Sequence, residues 1–143
     1  MLNIRHTGIV VSDAEKSIDF YTKLLGFEIK KDMLESGDYI DNFSDLKDVV
    51  VRTIKMTLGN GDMVELLNYQ THPELPDMGR PITRIGCSHF AMTVENLDET
   101  YDRLVEAGVE FNSPPQYSPD GFAKVTFCKD PDGSLVELVE ELR

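Results

Sequence analysis

The sequence has few cysteines and no tryptophan. Its two cysteines, Cys87 and Cys128, stand alone rather than in a C-x-x-C pair, so the chain has neither a disulfide scaffold nor the spacing of a zinc finger or a thioredoxin-like redox motif. We expect both to be buried free thiols.

Long hydrophobic runs are also missing. No apolar stretch approaches the roughly 20 residues of a membrane span, and the first residues, MLNIRHTGIVVSD, do not form a basic segment followed by a long apolar one. The sequence therefore predicts a cytoplasmic protein that does not interact with membranes.

Basic residues are scarce relative to acidic ones. Fourteen Lys and Arg against 26 Asp and Glu give a formal charge of −12, which repels nucleic acid and anionic membrane surfaces. We therefore expect a small molecule as the partner.

The length of 143 residues suits one domain-sized unit with its own core.

What the sequence does contain is an internal repeat. Residues 5–29 (RHTGIVVSDAEKSIDFYTKLLGFEI) align with residues 88–111 (SHFAMTVENLDETYDRLVEAGVEF), and NGDMVELL at 60–67 aligns with DGSLVELV at 132–139. His6 lies 20 residues before Gly26, and His89 lies 19 residues before Gly108. In the same alignment Glu65 corresponds to Glu137.

Each repeat predicts one strand, one helix and three further strands. The first strands are 4–11 and 88–94, and each is followed by a capping box, Ser12 with Glu15 and Asn96 with Glu99. Apolar residues at helical spacing follow, and Gly26 and Gly108 suit the left-handed position after a helix. The later strands are predicted at 27–34, 49–58 and 63–69, and at 109–111, 123–129 and 135–139.

Turn residues and prolines set the organisation of the chain. Asn60-Gly61 and Asp132-Gly133 favour tight hairpins that need positive φ angles. The polar stretch 35–48 predicts either a loop or short helix over a cavity or a surface insertion. We expect an α+β fold, in which βαβββ modules at 1–69 and 85–143, joined by a linker at 70–84, form a pseudo-twofold, open mixed-sheet barrel around one cavity.

Two carboxylates stand on apolar strand faces. Glu65 alternates with Met63 and Leu67, and Glu137 alternates with Leu135 and Val139. An unpaired buried carboxylate costs several kcal/mol, so each needs a cation. If the modules pack symmetrically, Glu65 and Glu137 meet the two repeated histidines, His6 and His89, and form an N2O2 metal site.

The motifs FYTKLLGF at 20–27 and DPDGSLVELVE at 130–140, within paired modules, resemble the vicinal oxygen chelate superfamily. That superfamily includes glyoxalase I, methylmalonyl-CoA epimerase, extradiol dioxygenases, fosfomycin-resistance transferases and bleomycin-binding proteins. The order His6, Glu65, His89, Glu137 is similar to the metal-ligand order of bacterial glyoxalase I. The resemblance implies one divalent metal per site (Ni, Co, Zn, Mn or Fe) and a homodimer.

The same resemblance implies a metal-dependent lyase or isomerase that acts on a small vicinal-oxygen substrate through an enediolate, with Glu137 and Glu65 as catalytic residues. Val10 and Tyr69 stand where bacterial glyoxalase I has an Arg and an Asn that hold glutathione, so the substrate is not expected to be the standard glutathione hemithioacetal. Arg52 could bind an anion or form a cross-strand ion pair. The alternatives are an iron-dependent extradiol dioxygenase and a non-catalytic, resistance-type binding protein.

Overall fold

The computed structural model describes residues Met1–Arg143, which form two compact units, Met1–Pro76 and Asp77–Arg143. The boundary between the units falls inside the proline-containing stretch 70–84. No helix has the length and apolar character that crossing a bilayer would require.

The first unit contains one four-stranded sheet with its helices. In chain order the elements are β1 (Thr7–Val10), α1 (Ala14–Asp19) continued by a π-helical turn (Phe20–Leu24), β2 (Glu28–Ser36), α2 (Asp38–Ser44), β3 (Val50–Thr57) and β4 (Met63–Tyr69). The strand order is β1-β4-β3-β2, with β1 parallel to β4 and the other pairs antiparallel.

The second unit repeats this plan. Its elements are β5 (His89–Thr93), α3 (Leu97–Glu106), β6 (Gln116–Tyr117), β7 (Ala123–Lys129) and β8 (Leu135–Glu141). The order β5-β8-β7-β6, with β5 parallel to β8, matches that of the first unit. The prediction of an α+β fold with two βαβββ modules is confirmed, and neither sheet closes on itself.

The helix boundaries agree with the predicted signals except at one cap. Asn96 caps α3, since its Oδ1 accepts a hydrogen bond from the Glu99 N–H at 3.1 Å, whereas α1 is capped by Asp13 rather than by Ser12. The Asp13 backbone is extended, so helical backbone starts one residue later than the capping box predicted. Gly26 and Gly108 end their helices at φ angles of 83° and 84°, as predicted.

Three predicted strand and turn features are wrong or shifted. The segment 109–111 forms only a single bridge, Phe111 to Cys128, where the Lys129 N–H donates to the Glu110 carbonyl and the Asn112 N–H to the Phe127 carbonyl. Prolines at 114 and 115, which cannot donate ladder hydrogen bonds, separate this bridge from the short β6. His6 precedes β1 instead of lying within it. In both hairpin turns only the glycine, not the preceding residue, adopts a positive φ.

Alternation along the strands separates two faces in each sheet. In the first unit Val64 and Leu66 of β4 and Ile54 and Met56 of β3 are buried on the face that α1 contacts. In the second unit the corresponding buried face includes Val136, Leu138 and Cys128. The opposite faces carry Glu65 and Glu137.

The two thiols have different environments. Cys128 is fully buried, as predicted, and its burial raises the pKa of the thiol to about 12. Cys87 is exposed, so the prediction that it is buried is wrong. It lies just before β5, outside the paired strands that would cover it.

Candidate metal centre

The first unit brings His6 next to Glu65. Glu65 lies in the middle of β4, between β1 and β3, and its register partners are Gly8 on one side and Lys55 on the other. It is 9% exposed. The His6 Nε2 atom lies 3.9 Å from Glu65 Oε1. Two of the four predicted ligands are therefore neighbours in this unit.

The second unit brings His89 next to Glu137. His89 begins β5, Glu137 lies in the adjacent β8, and His89 Nε2 is 3.1 Å from Glu137 Oε2. The imidazole is held on two further sides. Its ring makes an edge contact with Phe127, with 5.1 Å between centroids, and its Nδ1 is 2.7 Å from Ser88 Oγ. The remaining two predicted ligands are also neighbours.

The geometry of each pair fits a shared divalent metal. Metal–ligand bonds of about 2.1 Å place adjacent ligand atoms about 3.0 Å apart in an octahedral site and about 3.4 Å apart in a tetrahedral one. The 3.1 Å separation in the second unit lies in this range, and the 3.9 Å separation in the first needs only a small side-chain movement. Imidazole nitrogen with carboxylate oxygen is a donor set that suits first-row divalent metals.

No group of three or more His, Cys, Asp or Glu side chains is placed to hold a metal in this structure. The two pairs are thus the ligand groupings that the fold itself provides, one in each unit. That all four side chains bind one ion stays a prediction.

The two histidines differ in how firmly they are held. The Nδ1 atom of His6 is buried without a hydrogen-bond partner, whereas that of His89 lies beside the Ser88 hydroxyl. A hydrogen bond at the second ring nitrogen normally fixes the orientation of a ligating imidazole. The second unit therefore has the better oriented imidazole.

Sequence reasoning missed Lys55. Its Nζ lies 3.6 Å from Glu65 Oε2, and its side chain is 31% exposed. At the equivalent place in the second unit Phe127 pairs with Glu137. Counting residues back across the hairpin turn at 60–61 would have placed Lys55 opposite Glu65, so the signal was present in the strand register.

The insertion 35–48 forms helix α2, which packs on the same sheet face as Glu65. Ile40 of α2 is buried with Val51 of β3, and Leu67 and Tyr69 of β4 pack against them. Leu67 and Tyr69 share a face with Glu65 because they follow it at spacings of two. The stretch thus contains a short helix on the face that carries Glu65, and that this helix covers a cavity stays a prediction.

Arg52 serves a structural role on the other face. It pairs with Asp32 through two hydrogen bonds of 2.9 and 2.7 Å and with Glu15 of α1 through one of 2.6 Å. The guanidinium lowers the pKa of the Asp32 carboxyl. Arg52 and Lys55 are three residues apart on β3 and therefore point to opposite faces of the sheet. Since Lys55 shares a face with Glu65, the Arg52 side chain points away from Glu65. Of the two roles considered, the cross-strand ion pair is correct.

Comparison with known proteins identifies the family. The model of the family described as "Glyoxalase/Bleomycin resistance protein/Dioxygenase superfamily" matches residues 3–138. The chain belongs to this superfamily. The resemblance noted from the sequence motifs is thereby confirmed, and the match includes all four of the paired His and Glu residues.

Individual relatives cover almost the whole chain. The chain is 30% identical to the uncharacterized protein YwkD of Bacillus subtilis over 97% of each chain, and 27% identical to a lactoylglutathione lyase of Escherichia coli O157:H7 over 98% of this chain and 93% of that protein. A solved glyoxalase family protein from Bacillus cereus superposes with a TM-score of 0.89 at 25% identity, covering 100% and 96% of the two chains. This superfamily member is therefore a distant relative of lactoylglutathione lyases.

Proposed function

We propose that this superfamily member is a metal-dependent lyase or isomerase of the glyoxalase I-like type, acting on a small substrate with two adjacent oxygen atoms. The observation that carries the proposal is the repeated histidine–carboxylate pair, at 3.9 Å in one module and 3.1 Å in the other. The distant similarity to lactoylglutathione lyases supports the same class of reaction.

His6, Glu65, His89 and Glu137 would hold one divalent metal ion. When bound, the metal would supply Lewis-acid polarisation of a substrate carbonyl and orient the adjacent oxygens. Such polarisation acidifies the neighbouring C–H bond. A carboxylate beside that bond can then take up the proton and return it to the adjacent carbon.

Glu137 is our choice for the proton-transferring residue. Its cross-strand neighbour is the ring of Phe127, so no lysine or arginine holds this carboxylate away from a substrate. Glu65 has the Lys55 ammonium beside it, at 3.6 Å. His6 and His89 would act as metal ligands and are not needed as proton carriers.

The substrate is expected to differ from a glutathione adduct. Val10 and Tyr69 share the sheet face of Glu65, and together with Leu67 they make the surface beside the carboxylate mainly apolar. Neither residue carries a positive charge that could form an ion pair with a carboxylate of glutathione. A compact substrate with apolar substituents fits this surface better.

The test is proton exchange at the reacting carbon. Protein loaded separately with Ni²⁺, Co²⁺, Zn²⁺, Mn²⁺ or Fe²⁺ would be incubated in D2O with thiol adducts of 2-oxoaldehydes and with α-hydroxyketones. We expect metal-dependent deuterium incorporation or isomerisation that Glu137→Gln abolishes. Exchange that proceeds equally well in Glu137→Gln would contradict the assignment of this residue.

Two other readings give different outcomes in the same series. An iron-dependent extradiol dioxygenase would convert catechols only with Fe²⁺ and oxygen, and a resistance-type binding protein would bind ligands without turnover.

A homodimer is a further prediction, which light scattering of the purified protein would check.

A further inference from the structure

Glu65 and Glu137 occupy equivalent positions but have opposite kinds of neighbours. Lys55 lies opposite Glu65 in the β3–β4 pair, and its ammonium is 3.6 Å from the carboxylate. Phe127 lies opposite Glu137 in the β7–β8 pair and contacts the ring of His89. One module thus has a cation where the other has an aromatic ring.

We propose that Lys55 is an internal competitor of the metal ion for Glu65, and that it sets the metal affinity of the site by occupying this carboxylate until metal binds. The inference rests on the metal dependence proposed above and deepens it. It makes the ligand pair of the first unit the exchangeable half of the site and the pair of the second unit the anchoring half.

Charge compensation explains why Lys55 lies at this position. A carboxylate as buried as Glu65 needs a cation, and in the metal-free protein Lys55 supplies it. His6 faces Oε1 of Glu65 and Lys55 faces Oε2, so a divalent ion bound with His6 would repel the ammonium and weaken the Lys55 contact. The side chain is 31% exposed and long, so its charged end can turn into solvent.

The second unit has features that favour early metal binding. No Lys or Arg forms an ion pair with Glu137, so no protein cation has to be displaced from it. His89 is already held by Phe127 and Ser88, whereas Nδ1 of His6 has no partner. A preoriented imidazole loses less freedom on binding than a loosely held one.

The experiment compares Lys55→Met with Lys31→Met. Methionine keeps the length of the lysine side chain and removes its charge. Lys31 is the cross-strand partner of Lys55 on β2, is exposed and forms no ion pair, so its variant removes the same charge from the same sheet face without touching Glu65. Metal dissociation constants for Ni²⁺, Co²⁺ and Zn²⁺ would be measured by calorimetry and chelator competition, and melting temperatures with and without metal.

We expect Lys55→Met to bind metal at least tenfold more tightly than wild type and Lys31→Met to stay within about threefold. Without metal, Lys55→Met should melt below wild type, because Glu65 has lost its cation, and saturating metal should close or reverse the difference.

Other outcomes separate the two proposals. Metal binding of equal or lower affinity in Lys55→Met, or an equal gain in both variants, would overturn the role of Lys55 while metal dependence stands. Absence of metal binding in all three proteins would overturn the proposed function, and the inference with it.

Discussion

Glu65 and Glu137 illustrate how residues at matching positions of a repeat acquire different roles. Each stands in the central region of an apolar strand beside a histidine, yet one pairs with Lys55 and the other with Phe127. The repeat alone fixes which residues are ligand candidates. The cross-strand neighbour determines how strongly each carboxylate needs a further cation.

The thiols give a prediction at the residue scale. Cys128 is fully buried with a pKa raised to about 12, whereas Cys87 is exposed. A thiol reagent at pH 8 should therefore label one cysteine rapidly in the folded protein and two after denaturation. The Cys87→Ser variant should show no rapid labelling in the folded state. Rapid labelling of that variant would contradict the burial of Cys128.

The Arg52–Asp32 pair predicts a defined pH dependence. Arg52 holds the pKa of Asp32 below its ordinary value, so the pair stabilises the folded protein above the unfolded-state pKa of about 3.9 and loses that contribution as the pH falls through the lower folded-state value. We expect Arg52→Met to be less stable than wild type at pH 5 to 7, and the difference to narrow below about pH 4. Urea unfolding of both proteins at each pH measures this difference in the free energy of unfolding. A difference that widens on acidification would be inconsistent with this pair.

At the scale of elements, two glycines with left-handed backbone have different surroundings: Gly133 lies in a hairpin turn and Gly108 follows helix α3. A Cβ on Gly133 would collide with the backbone oxygen of Asp77 in the same unit, and the φ angle of Gly133 is 87°. Gly108 has nearly the same φ, 84°, with open space around it. The turn at Gly133 therefore holds the segment at Asp77 by close backbone approach.

Alanine at these glycines separates backbone strain from steric exclusion. Gly108→Ala should lower the free energy of unfolding by about 1 to 2 kcal/mol, because a residue with a Cβ is strained in the left-handed region. Gly133→Ala adds a collision with backbone and should cost about 3 kcal/mol or more. The free energies of unfolding of the two variants are compared with that of wild type. Equal losses in the two variants would show that the close approach of Asp77 to Gly133 does not affect stability.

The accuracy of the sequence-based elements followed the strength of local signals. The strands at 63–69 and 123–129 match the structure to the residue, because alternation and glycine turns define them on their own. The strand expected at 109–111 is only an isolated bridge at Phe111, and the prolines at 114 and 115 prevent it from continuing into β6.

The candidate site was predictable only as far as the repeat extended. His6, Glu65, His89 and Glu137 recur at matching offsets, and the structure makes each His–Glu pair a close contact. Lys55 has no counterpart in the second half, so the repeat gave no reason to select it. Its importance depends on the register between β3 and β4, which is a tertiary property.

At the scale of the whole molecule, each of the two βαβββ modules carries two of the four predicted ligands. Every ligand pair is supplied by a single unit, His6 with Glu65 and His89 with Glu137. Loss of a ligand from either half should lower occupancy, which is the central claim of the proposed function.

Metal content tests this claim most directly. Untagged protein purified without chelators would be analysed by inductively coupled plasma mass spectrometry beside Glu65→Ala and His89→Ala, with Arg52→Met as a control in the first sheet but on its other face. The prediction is nearly one first-row divalent metal per chain in wild type and control, and loss from both ligand variants. Absence of metal from wild type even after reconstitution, or full occupancy in either ligand variant, would contradict the account.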